Sequence, residues 1–135
     1  MPSINFDIVM PFIEMLGFEL LHKKDGIARV RLDPKPEHLN SWKSLHGGVV
    51  MTLLDVALSS AARSLDESCI GCATVEMKTN FLAGAGDKVI AEGRAQRAGR
   101  SLIFAEGELR DAAGAVLAKA NGTFKLLYAS TRESA

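Results

Sequence analysis

The apolar residues of this chain change their spacing along its length, and each change marks an element. Phe6, Ile8, Val9, Phe12, Ile13 and Leu16 fall at helical intervals, so a helix is predicted over Ile4 to Leu16 despite Pro11, with Gly17 ending it. Phe18 to Lys23 and Ile27 to Leu32 then read as two strands joined at Lys24-Asp25-Gly26. In the second, Ile27, Arg29 and Arg31 alternate with Ala28, Val30 and Leu32, the period of a strand with one buried face. Asp33 to Ser44 has no period and is rich in Pro, His, Asn and Ser, so it reads as an irregular connector. Leu45 to Ser59 is nearly all apolar and reads as one buried helix. Ala73 to Leu82, Lys88 to Arg97, Leu102 to Arg110 and Val116 to Leu127 are strand candidates. The segments between them, Gly84 to Asp87, Ala98 to Ser101 and Asp111 to Gly114, each hold a glycine suited to a tight connection, which predicts an antiparallel meander.

These elements predict an α+β fold, one long helix enclosed by a strongly curved antiparallel sheet of five to six strands. Ala57, Ser59, Ser60, Ala61 and Ala62 are small enough for helix and sheet to approach closely. There is no internal repeat or linker, so residues 1–135 read as one domain, with Thr131 to Ala135 expected to fray.

Composition narrows the partners. Sixteen basic and 16 acidic residues give zero formal charge, without the excess that drives general nucleic-acid or anionic-membrane binding. The longest apolar stretch is interrupted by Asp55 and Arg63 and is too short to span a bilayer. The N-terminus lacks a basic region before an apolar run, so a cytoplasmic location is expected. Apolar residues make up 47% of the chain, which suggests surface buried against another copy. Cys69-Ile70-Gly71-Cys72 is a CxxC pair, but a closed zinc site needs four ligands and no second pair exists. The pair follows a helix and leads into a strand, unlike a thioredoxin-type motif, so two reduced, packed thiols are expected.

The chemistry concentrates in the long helix. Asp55 stands near its middle among apolar neighbours, and an ionised carboxylate is costly to bury without a partner. The helix starts at Gly47-Gly48, whose bare backbone lets a ligand approach the unpaired N–H groups of the first turn. Those groups carry the positive end of the helix dipole and suit an oxygen on which negative charge develops. A carboxylate and an oxyanion site on one helix point to acyl transfer.

Asn40, His46-Gly47-Gly48 and Asp55 at this spacing, with Thr74-Val75-Glu76-Met77 and Gly99-Arg100-Ser101, resemble the hotdog-fold acyl-CoA thioesterases. The similarity is to the phenylacetate-degradation branch, which Pro36-Glu37-His38-Leu39-Asn40 and Met15 to Leu20 also fit, so it extends over nearly the whole chain. That branch often carries a Pro-Leu-Gly-like run after the Asn, where this chain has Ser41-Trp42-Lys43-Ser44.

The resemblance implies hydrolysis of a CoA thioester by Asp55, as general base or as nucleophile, with the Gly47 N–H as oxyanion donor. It implies that Asn40 and Thr74 orient the thioester or water, and that Ser59, one turn beyond Asp55, supplies a hydroxyl. His46 is a candidate base but is better placed to hold the loop, while His22 and His38 read as surface or loop residues. Arg97, Arg100 and Ser101 at a hairpin tip, with Lys125 nearby, are candidates for the coenzyme A phosphates, and Gly48 for close backbone approach. Met51, Leu54 and Phe81 read as core. No metal or organic cofactor is expected, coenzyme A being part of the substrate. A homodimer or homotetramer is implied, with Asn40 and Gly47 of one subunit facing Asp55 and Thr74 of the other. The rivals are a non-catalytic acyl-CoA-binding hotdog protein, for which no residues remain to build a DNA-binding domain, and a hotdog hydratase, whose Asp–His spacing Asp55 and His46 do not match.

Overall fold

The computed structural model describes residues 2–129; the expectation for Thr131 to Ala135 lies outside them. A short helix α1 (Pro11–Leu16) leads into strands β1 (Glu19–Lys24) and β2 (Ile27–Leu32), and a single 3-10 turn (Pro36–His38) interrupts the connector. Helix α2 (Gly47–Arg63) follows, then β3 (Gly71–Phe81), β4 (Val89–Arg97), β5 (Leu102–Asp111) and β6 (Val116–Leu127). The strands form one antiparallel six-stranded sheet in the order β1-β2-β4-β5-β6-β3. Among the described residues no helix is long and apolar enough to cross a membrane.

Two sequence expectations are corrected. The helix predicted from Ile4 begins only at Pro11, because proline lacks the N–H a helix interior needs and keeps Met10 out of the helical region. Ile4 instead bridges to Leu20 and extends the sheet edge. The meander holds for β4-β5-β6, but β3 pairs with β6 at the far edge. Gly84 to Asp87 therefore begins a crossing from one side of the sheet to β4, not a hairpin turn.

Helix α2 lies on the sheet through Leu53, Leu54, Ala57, Leu58 and Ala61, all fully buried. The facing strands present small residues, and Gly93 pairs with Gly107 beneath the helix. A Cβ at Gly93 would sit 2.5 Å from the Ala57 carbonyl oxygen, and one at Gly107 would collide with the Glu92 carbonyl. The sheet wraps the helix closely, which is the hotdog arrangement. Edge strand β3 is different, since most of its residues are exposed on both faces. A bulge between Thr74 and Glu76 also reverses its alternation. Thr74 lies opposite the buried Phe124, whereas beyond the bulge it is Met77 and Thr79 that lie opposite inward-facing residues.

Candidate active site

The connector is held rigidly although it has no periodic structure. Leu39 bridges to Leu45, and Asn40 Oδ1 accepts from the N–H groups of Trp42 at 2.9 Å and Ser44 at 3.1 Å. Asn40 thus caps its own loop while also lining a cavity of about 440 Å³ with Gly47, Val50, Phe81, Leu109 and Leu117. His46 is the N-cap of α2, and its Nδ1 accepts from the Gly48 N–H at 2.8 Å. Its carbonyl accepts from Val49 and Val50. Gly48 is therefore occupied, whereas the Gly47 N–H has no hydrogen-bond partner among the described residues. A backbone donor is left free at the positive end of a 17-residue helix, beside an apolar hollow.

Asp55 is half-buried in a single chain, not enclosed as its apolar neighbours suggest. The reason is that α2 turns its Met51 and Asp55 side toward the sparsely covered strand β3. Thr74 Oγ1 donates to Asp55 Oδ1 at 2.6 Å, and Oδ2 makes no protein hydrogen bond among the described residues. Ser59, one turn on, donates to the Val56 carbonyl at 3.3 Å. The carboxylate is oriented by one oxygen and presents the other.

Cys69 and Cys72 are free thiols. Burial, with Cys69 and then Asp55 nearby, pushes the Cys72 thiol up to about 12, and burial also raises Cys69. Neither is a ready nucleophile at neutral pH.

The third group divides. Arg97 is engaged, 3.5 Å from Asp66 and donating to the carbonyls of Gly99 and Arg100. Hydrogen bonds from Ser68 and then Tyr128, with Arg97 nearby, hold the Asp66 carboxyl down at about 2. The Ser101 carbonyl accepts from Leu126. Arg100 and Lys125 are exposed, and no side-chain partner of either occurs among the described residues. Lys125 pairs with Ala73, the neighbour of Thr74, and with Leu102 beyond the hairpin tip.

The structure thus brings Asn40 to Gly47, brings Thr74 to Asp55, and sets Arg100 and Lys125 near the start of β5. Three further residues differ from their sequence reading. Met51, read as core, is 45% exposed, because it stands on the side of α2 that β3 covers thinly. Phe81, read as core, is 54% exposed and its ring lies over Gly47, where an added Cβ would be 3.5 Å away. The phase reversal in β3 conceals it from a period-2 reading. His38, read as a surface or loop residue, lies in the loop but is 3% exposed, and no local sequence pattern marks its burial.

Comparison with known proteins agrees with this fold. The Thioesterase superfamily profile matches residues 43–118, from the loop tip through α2 into β6. The medium/long-chain acyl-CoA thioesterase YigI of Salmonella typhimurium is 28% identical over 131 residues, 85% of this chain and 84% of that protein. Among solved structures, the conserved protein PA5202 of Pseudomonas aeruginosa superposes with a TM-score of 0.82 and 30% identity, covering 88% of this chain and 95% of that one. The PaaI protein of the E. coli phenylacetic acid degradation operon has the same fold, with a TM-score of 0.78 and 22% identity, covering 86% and 83%. With its profile match spanning more than half of its length, this chain belongs to the thioesterase superfamily.

Proposed function

We propose that the protein is a cytoplasmic acyl-CoA thioesterase, releasing a free carboxylic acid and coenzyme A at sites shared between two copies of the chain. The observation that carries this reading is a spacing. Gly47 and Asp55 lie eight residues apart on one helix, about 12 Å along its axis at 1.5 Å per residue. An oxyanion donor and a base or nucleophile must each come within about 3 Å of the same reacting centre. One chain therefore cannot bring both to one carbonyl, and a second copy supplies the missing half. Apolar surface suits that pairing, since Met51, Val75, Phe81 and Leu82 are all exposed along the side where α2 meets β3.

In the complete site the Gly47 N–H of one copy holds the thioester oxygen as it gains charge. Asp55 of the other, oriented by Thr74, acts in one of two ways. As general base it takes a proton from water, whose oxygen attacks the carbonyl carbon; the C–S bond then breaks and the coenzyme A thiolate is protonated. As nucleophile its carboxylate attacks, the thiolate leaves, and water hydrolyses the mixed anhydride. Asn40 shapes the Gly47 side, and Arg100 with Lys125 meets the coenzyme A phosphates. The acyl group occupies the hollow under Phe81, whose lining is largely apolar.

A panel of CoA thioesters assayed by thiol release tests the reading directly. Asp55→Asn is expected to fold as the parent does and to lose nearly all turnover, since an amide is neither basic nor usefully nucleophilic. Hydrolysis within about tenfold of the parent would remove Asp55 from the mechanism.

A further inference from the structure

We propose that the buried imidazole of His38 is a positioning residue, which sets the free Gly47 N–H through a relay of hydrogen bonds. The inference rests on the thioesterase reading of that N–H. His38 makes bonds in three directions. Its Nδ1 accepts from the Lys35 N–H at 2.9 Å, and since a backbone N–H can only donate, Nδ1 is the bare nitrogen. Nε2 therefore carries the proton and donates to the Leu16 carbonyl at 2.8 Å. That carbonyl lies in the last turn of α1, where helix carbonyls lack partners within the helix. The third bond uses the backbone, the His38 carbonyl accepting from the His46 N–H at 2.9 Å.

The relay continues from there. His46 N–H is fixed by His38, His46 Nδ1 takes the Gly48 N–H, and the His46 carbonyl takes those of Val49 and Val50. The backbone donors on either side of Gly47 are thereby assigned, and its own N–H alone is left without a partner, at a residue that lines the cavity. The direction of that N–H depends on the peptide between His46 and Gly47, and so on where His38 holds residue 46. A neutral imidazole suits the task, because it offers one acceptor and one donor on opposite sides of a rigid ring. Alanine removes both bonds and leaves the Leu16 carbonyl and the Lys35 N–H without their protein partners, so nothing ties the loop to α1 at this point. Glutamine can keep the donor to Leu16.

His38 is remote from the carbonyl, so its loss acts on the geometry of one donor. An oxyanion donor works mainly in the transition state, and a misplacement near 1 Å costs on the order of 10- to 100-fold in rate. His38→Ala is expected to lower kcat by that factor with KM within about twofold, and His38→Gln to recover much of the loss. A second reading needs no activity. In amide NMR spectra the Gly47 and Gly48 resonances should move in His38→Ala, while those of Leu53 to Leu58 stay in place. If the alanine variant does not fold, His38→Gln carries both measurements, with a smaller kcat loss and smaller shifts expected. A folded variant that turns over at the parental rate, or that slows without moving the Gly47 amide, overturns the proposal. If the parent hydrolyses no CoA thioester, the thioesterase reading fails instead, and the amide shifts still decide whether His38 holds Gly47.

Discussion

Lys43 holds a left-handed backbone conformation, with φ of 60°, at the tip of the loop that caps α2. Branched at Cβ or not, an L side chain there is strained by about 1–2 kcal/mol, while glycine adopts the conformation freely. Lys43→Gly is therefore expected to raise stability by about 0.5–1 kcal/mol after glycine's larger unfolded-state entropy is subtracted, read as a higher Tm. A lower Tm would mean that the lysine side chain makes a contact worth more than the strain. At this scale the sequence was readable where chemistry is local. Gly47 and Asp55 stand out because a bare helix start and a lone carboxylate in an apolar run are visible in the letters alone. His38 does not, because its partners Leu16 and His46 come together only through the fold. Asp55 was read as enclosed from its neighbours along the chain, yet its exposure is set by β3, which covers that side of the helix thinly.

The hairpin between β4 and β5 carries a distinction that charge counting misses. Arg97 is bound to Asp66 and to the turn's own carbonyls, so it serves the hairpin's shape. The Arg100 side chain is free of such ties among the described residues. Arg100→Ala is expected to raise KM for acyl-CoA about tenfold or more, on the scale of a charge-assisted hydrogen bond of about 1.5–3 kcal/mol, with kcat nearly unchanged. An acyl-pantetheine lacking the nucleotide should not sense the change. Equal losses on both substrates would assign Arg100 to structure. Most strands were legible as elements, β6 to its ends, because alternation and glycine-bearing turns are local signals. The position of β3 was not. Its pairing with β6 joins segments far apart in sequence, and the bulge at Val75 breaks the alternation that would have exposed it. In the N-terminal segment the apolar spacing alone favoured a helix, and one proline limited it.

Across the whole molecule, the N-terminal segment is fastened to the end of α2 by charge. Asp7 pairs with Lys23 at 2.6 Å and with Arg63, whose side chain is 5% exposed. Partial burial works to raise the Asp7 pKa, but the two cations outweigh it and lower it from 3.8 to about 2. A carboxylate depressed in the folded state contributes stability that is complete above its unfolded value and is lost as pH falls through the folded one. The window is thus from about pH 4 down to pH 2. Because the Asp7 side chain is 56% exposed, solvent screening reduces the contribution to about 1 kcal/mol. Denaturant unfolding at pH 6 and pH 2.5 should show most of that loss in the parent, and a smaller one in Asp7→Asn. The active assembly should be an oligomer. Asn40→Ala and Asp55→Asn chains, each inactive alone, should regain activity when dissociated and reassembled together. A fully active monomer in light scattering would rule out shared sites.

The two-turn gap between Gly47 and Asp55 also has a genetic consequence. If sites are shared between two copies as proposed, a mixed dimer of parent and singly altered chains would keep one sound site, so either defect should be recessive. Two defects on separate chains leave one site intact and complement one another. Placed together on one chain, the same two defects spoil both sites of any dimer with a parent chain. The doubly altered gene should therefore act as a dominant negative where neither single change does. Co-expressing each arrangement with the parent would read a distance along one helix as a pattern of inheritance.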